Sequence, residues 1–218
     1  MRFYRAIKVD QIEKWEYLSV SDIAIRPATL ADLPDLYHVA IKTGDSGNDA
    51  TGKFLNDEII GEIYVGPYVT LATETSFVLS EAGKAIGYGL CVLDTLKFQE
   101  RCRQEWWPKL QAKYQGEATT GPSGWLINEI FNPTPSPHEI LAEYPSHGHI
   151  DLLPHVQGQG WGRKMMTRME SELTALKSPG FHLRVSAFND RGLQFYAALG
   201  YEELIRRDDE VVVGKKLS

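Results

Sequence analysis

Gln157-Gly158-Gln159-Gly160-Trp161-Gly162 is the stretch that decides how this chain is read. A short apolar run, Ile150 to Leu153, precedes it. An amphipathic segment, Trp161 to Lys177, follows, with Met165, Met166, Met169, Leu173 and Leu176 at spacings of three and four. The pattern predicts a strand, a glycine-rich turn and a helix whose apolar stripe enters the core. Such a turn is an anion cradle, because the first N–H groups of a helix lack internal acceptors and the helix dipole adds partial positive charge there. Glycine allows close approach and positive φ. By itself the pattern equally describes a plain tight turn. A dinucleotide fold would want G-x-G-x-x-G after the first strand and an acidic residue about 20 positions on. Here the glycines alternate late in the chain, and positions 178–182 read Ser-Pro-Gly-Phe-His, with no acidic partner.

The second informative block is Asn189-Asp190-Arg191-Gly192-Leu193-Gln194-Phe195-Tyr196-Ala197-Ala198-Leu199-Gly200-Tyr201. An asparagine after a strand, a short helix with Phe-Tyr, then Leu-Gly-Tyr entering another strand resembles the second signature of the GNAT acetyltransferases. The glycine loop resembles their first, [Q/R]-x-x-G-x-[G/A]. The resemblance implies an α/β (α+β) fold: a mixed, mostly antiparallel sheet flanked by helices, with a splayed strand pair forming a slot for acetyl-CoA. It also implies that Gln157 through Arg163 hold the pyrophosphate, that Asn189 bonds the pantetheine amide, and that the backbone of Leu152 or Leu153 pairs with pantetheine and donates to the thioester oxygen.

Further blocks resemble one branch, the acetyltransferase-like C-terminal domain of O-GlcNAcase and its free-standing bacterial relatives. They are Thr43-Gly44-Asp45-Ser46-Gly47 with Asp49-Ala50-Thr51, Gly66-Pro67-Tyr68, Gly87-Tyr88 through Asp94, and Trp107-Pro108 with Gln111 and Lys113-Tyr114. The resemblance covers residues 25–218. The eukaryotic domain lacks the acetyl-CoA loop that is complete here, which favours a cofactor-binding member. In this branch the resemblance leaves the acyl acceptor open.

Composition narrows the class. The 218 residues are 43% hydrophobic and 24% charged, ordinary for a globular protein of one large domain. We expect an N-terminal extension over 1–20, docked through its aromatics, and a domain over 21–218 with a helical insertion around 96–145. A net charge of −6 argues against nucleic acid and mildly favours a cationic amine partner. No apolar run reaches membrane-spanning length and the first residues lack a secretory signal, so a cytoplasmic protein is expected. Cys91 and Cys102 give neither a disulfide framework nor metal spacing, and His147 and His149 would need two more ligands for zinc; no metal is expected.

Upstream, Ile23 to Arg26 reads as a strand ended by Pro27, Thr29 with Asp32 as a capping-box helix start, and residues 33–41 as that helix. Residues 43–51 are a polar loop, and a helix is predicted over Phe54–Ile60. Phe77–Ser80 and Ile86–Leu93 read as strands around a hairpin turn. Leu96–Tyr114 is helical, broken or restarted at Pro108. Its Trp106 and Trp107 fit core packing better than a ligand platform. Trp125–Ile130 reads as a strand, Ser136–Leu141 as a short helix capped by serine, and Leu183–Ala187 and Val211–Val213 as strands.

The chemistry follows from the acceptor. An amine with a pKa near 10.4 is about one part in a thousand neutral at pH 7, roughly 4 kcal/mol uphill, so a base is required. Asp151, a carboxylate in an apolar strand beside Leu152-Leu153, is one candidate, and His149 on the same face is the other. Tyr196 stands where the resemblance puts the acid for the thiolate leaving group. Asp45 and Asp49, with Asp94 and Asp151, are candidates for an anionic acceptor mouth, and His149 is a further candidate for binding the acceptor. The expected activity is N-acetyl transfer from acetyl-CoA to a primary amine; the rival is a non-catalytic acyl-CoA-binding or protein-interaction domain.

Overall fold

The computed structural model describes residues 4–9, 12–17 and 23–217. β1 (Tyr4–Val9) and β2 (Ile12–Tyr17) pair antiparallel as a hairpin. The docking expected of residues 1–20 rests on side chains outside the described residues.

The rest is built on one sheet. β3 (Ala24–Pro27), β4 (Ser76–Glu81), β5 (Lys84–Val92), β6 (Ser146–Leu152), β7 (Gly180–Ser186), β8 (Glu202–Arg206) and β9 (Glu210–Lys216) run in the order β3-β4-β5-β6-β7-β9-β8. Every neighbouring pair is antiparallel except β6–β7, which is parallel. The mixed, mostly antiparallel sheet expected from the sequence is therefore present. β4 and β5 turn through Ala82 and Gly83, both at positive φ as a tight hairpin requires.

Helices cover both faces. α1 (Leu33–Thr43), α2 (Ile59–Tyr64) and α3 (Gly66–Leu71) lie on one, joined by the segment between β5 and β6: α4 (Thr95–Arg101), a π-helical turn (Cys102–Trp106), α5 (Trp107–Lys113) and α6 (Gly124–Phe131). Their core includes Leu36, Val39, Ile59, Tyr88, Leu90, Leu126 and Ile130. The opposite face carries α7 (Trp161–Ala175). There Met165, Met166, Met169 and Leu173 are fully buried against Leu183, Val211 and Val213, each contributing ~1.5–3 kcal/mol. Leu176, the last of the predicted stripe, is 40% exposed. Gly89 lets α7 approach β5; a Cβ there would strike Met165. α8 (Asp190–Ala197) follows β7.

Local signals account for several ends. Thr29 N and Oγ1 both donate to Asp32, which also takes the guanidinium of Arg26; that hydrogen bond holds its carboxyl down at about 2. Pro108 has no N–H to give a continuing helix, and the chain passes through a π turn and restarts at Trp107. Trp106 packs on the core and donates Nε1–H to the Glu62 carbonyl.

Three segments differ from expectation. Residues 124–131 form a helix, not a strand: Leu126, Ile127 and Ile130 are the buried set, a helical spacing that a short apolar run conceals. The helix expected over 54–60 begins at Ile59, because the Asn56 side chain accepts from the amides of Glu58 and Ile59 and fixes a turn before it. Near 136–141 only His138–Ile140 is helical, as a 3₁₀ turn; the Ser136 hydroxyl accepts from Gln99 instead of capping.

Candidate functional site

The site grows out of the β6–β7 pair. Their pairing stops after Ser146–Phe181 and His147–His182, so beyond His147 the two strands splay apart. On its other side β6 stays bonded to β5 through Leu152, and the Leu153 amide donates to the Ile86 carbonyl at 3.0 Å. Backbone groups alternate along a strand, so the amides of Ile150 and Leu152 face the gap. Of the two predicted backbone donors, Leu153 is thus engaged in the sheet and Leu152 is the one aimed at the cleft. The Leu152 carbonyl accepts from Gln157 Nε2 at 2.6 Å, which fastens the glycine loop to β6.

That loop closes one end of the cleft. Gly158 and Gly160 have φ of +73° and +83°, and a Cβ at either would point into open space. Gly160 caps α7, whose first intrahelical bond runs from the Lys164 amide to the Gly160 carbonyl at 3.1 Å. The amides of Trp161, Gly162 and Arg163 are therefore left for an outside acceptor, at the positive end of a 15-residue helix. The Lys164 ammonium lies 3.9 Å from the Trp161 ring centre.

The cavity is about 1320 Å³ and runs from this loop to α1, α6 and α8. It gathers Asp45, His149, Asp151, Leu152, Gln157, Gly158, Gly160, Gly162, Arg163, Asn189 and Tyr196 from the predicted set. Leu153, Gln159 and Trp161 are outside its wall. Gln159 bonds the His155 carbonyl. Asp49 and Asp94 stand away from it as well: Asp49 pairs with Lys42 on the surface, and Asp94 caps α4 and pairs with Lys97. Asp45, on the rim, pairs with Lys53. Of the four aspartates expected to form an anionic mouth, Asp45 and Asp151 thus line the cavity, whereas Asp49 and Asp94 do not.

Asp151 sits deep in the cleft. Burial pushes its carboxyl up to about 6, against the hydroxyls of Tyr88, which donates at 2.5 Å, and Thr43. His149, two residues earlier, is held down at about 4 by burial and by the cationic neighbourhood of Arg184 and His182. It is a neutral ring near pH 7. His147 is spoken for, between the Tyr68 hydroxyl and the Thr95 hydroxyl, each at 2.7 Å.

On α8, Asn189 Oδ1 accepts from the Gly192 amide at 2.8 Å and caps the helix, leaving its Nδ2 side for any ligand. Of the adjacent pair on α8, Tyr196 is the more buried, with 8% exposure, and Phe195 is partly exposed, under Gly162. The Tyr196 hydroxyl makes no hydrogen bond to the described residues, yet no buried polar side-chain atom among them lacks a partner. The hydroxyl therefore opens on the cleft. Burial and the Asp151 charge keep it protonated. Tyr88, which orients Asp151 from 63 positions away, has no mark in the local sequence. Among the described residues no cluster of His, Cys, Asp or Glu could hold a metal, and no helix is long and apolar enough to cross a membrane.

No family model matches the chain. It is 29% identical over 206 residues to Protein O-GlcNAcase of Rattus norvegicus, an alignment covering 88% of this chain and 22% of that protein. The chain thus spans about a fifth of the length of the curated relatives it matches. The crystal structure of SsHAT superposes with a TM-score of 0.83 at 28% identity, over 90% of this chain and 98% of that one. A GNAT superfamily phosphinothricin acetyltransferase from Sinorhizobium meliloti, in complex with AcCoA, superposes at 0.55 with 15% identity, over 90% and 89% of the two chains.

Proposed function

Starting from a chain with the GNAT acetyltransferase fold, we propose that it transfers acetyl from acetyl-CoA directly to a primary amine. The observation that carries this reading is the convergence, in one cleft, of a poised carboxylate, an unengaged tyrosine hydroxyl and an unpaired strand amide at Leu152, beside a helix N-terminus able to hold phosphate. The donor set fits acetyl-CoA. Amides from Trp161 to Arg163, with the Arg163 guanidinium, hold the pyrophosphate. The gap between β6 and β7 takes pantetheine, bonded by Ile150 and Leu152 on one side and Asn189 Nδ2 on the other.

Asp151 is the base. With a carboxyl near 6 it is mostly ionised at pH 7 and still basic enough to accept a proton from an ammonium acceptor. Tyr88 keeps it aimed. His149, held near 4, is the weaker base. The neutral amine forms the new C–N bond at the thioester carbon, and the Leu152 amide stabilises the charge that develops on the carbonyl oxygen. As the C–S bond breaks, Tyr196 gives a proton to the departing sulfur and takes up in its place the surplus proton that the attacking nitrogen sheds as it becomes an amide, while Asp151 returns the first proton to solvent. The test is release of free thiol from acetyl-CoA with and without a panel of primary amines, beside calorimetric binding of acetyl-CoA. Amine-dependent release is expected. Tight binding with no release on any amine would replace this reading with the non-catalytic acyl-CoA-binding one.

A further inference from the structure

The cleft does not end at Asp151. A second cavity of about 1000 Å³ adjoins it over the α2–α6 face of the sheet, and the two share Tyr64, Trp125, Gly148, His149 and Arg184. The charges on its wall do not balance. Arg103 pairs with Glu100 and Arg184 with Glu210. Glu129 and Asp209 also line it, and neither has a cation within ion-pair distance among the described residues. Glu129 is fixed in place by the Thr134 amide at 3.0 Å and the Thr134 hydroxyl at 2.6 Å, contacts that orient the carboxylate without neutralising it.

The shared wall is aromatic. Trp125, 50% exposed, stacks on Tyr64 with ring centres 6.4 Å apart. The Tyr64 hydroxyl and both ring nitrogens of His149 find no partner among the described residues. Since none of their polar side-chain atoms is buried and unsatisfied, these groups open on the cavities too. An anionic ligand would meet uncompensated Glu129 and Asp209, and an apolar one would strip water from groups it could not bond. A cation set against an aromatic face beside a carboxylate gains from both.

We propose that this lobe holds the far end of the acceptor, and that the acceptor is an elongated diamine: one amine reacts at Asp151 while the second, as ammonium, lies between Glu129 and the Tyr64–Trp125 pair. The proposal deepens the acetyl-transfer reading and rests on it for the fate of the first amine alone. It is tested by calorimetric titration of 1,6-diaminohexane, hexylamine and 6-aminohexanoate into the intact protein with excess coenzyme A. The diamine should bind at least tenfold more tightly than hexylamine, and 6-aminohexanoate more weakly than either. In Glu129→Gln, which retains an acceptor for Thr134, the ratio of diamine to monoamine affinity should fall toward one, and in Trp125→Leu it should fall severalfold. Equal binding of the three ligands, absence of binding, or an unchanged ratio in both variants would overturn the proposal. The expected preference without thiol release from acetyl-CoA would instead retain the cation seat and refute acetyl transfer.

Discussion

Asp151→Asn separates the chemistry of this carboxylate from its cost to the fold. Folded, the carboxyl holds its proton up to about pH 6; unfolded, it lets go near 3.8. The folded state therefore binds more protons across that window, and wild-type stability declines as pH rises through it. At 1.36 kcal/mol per pH unit, the rise of about two is worth about 3 kcal/mol at most; the open cleft lets water screen part of it, so about 1–2 kcal/mol is expected. The substituted amide would carry no charge at any pH, and its oxygen can still accept from Tyr88. The variant should accordingly melt roughly 2–8 °C above wild type at pH 8 and match it at pH 3.5. Its turnover should fall about 10²-fold, with the acid limb near pH 6 gone and the deficit shrinking at high pH, where amines deprotonate unaided. Thermal melts at the two pH values and a pH–rate profile give the answer. Equal stability at both pH values, with the limb near 6 still present in the variant, would refute the assignment of Asp151 as a buried base.

Gly160→Val should weaken acetyl-CoA binding at least tenfold, about 1.4 kcal/mol or more. Gly160→Asn, which tolerates the +83° φ, should do so with little loss of melting temperature; unchanged affinity in a folded variant would remove the loop from the phosphate site. Tyr196→Phe should leave melting and acetyl-CoA affinity nearly intact, since the hydroxyl bonds nothing among the described residues, and lower kcat by about 10- to 10³-fold. Thioesters with less basic leaving groups should rescue that variant more than wild type, and equal sensitivity would leave Tyr196 as cleft wall. Gly148→Ala places a Cβ against the Leu90 carbonyl and the Phe181 ring, so chemical denaturation should register a loss of about 1–3 kcal/mol; a neutral result would mean the strands have room to move.

What is legible in the sequence is what neighbours in the chain determine. The Thr29–Asp32 box, the hairpin at 82–83, the restart at Pro108 and the glycine loop opening α7 each depend on residues within a few positions of one another. The face of α7 can be read because four buried residues repeat over several turns. Residues 124–131 are too short for a period to separate helix from strand. The acidic mouth is present only in part, since an aspartate reveals nothing of the lysine that answers it: Asp45 meets Lys53 and Asp49 meets Lys42 only once the loop folds back on itself. Polarity alone assigns Phe195 to the core and Tyr196 to the cleft, but the tyrosine ring is packed among core residues while only its oxygen reaches the cleft. Tyr88 has no local signal, since its role comes from standing opposite Asp151 in the β5–β6 register.

The parting of β6 from β7 gives this sheet a rim in its middle. A rim normally lies at the outside, where charge, brevity or a covering loop protects its unpaired groups; here two stretches of backbone are left unpaired between strands that are paired on their other sides. Amide hydrogens at Ile150 and Leu152 should then exchange with deuterated solvent much faster than those at Asp151 and Leu153, residue by residue along one strand. A ligand that lays its own amides into the parting would act as an eighth strand of this seven-stranded sheet, erasing that alternation and stabilising the domain by RT ln(1 + [L]/Kd).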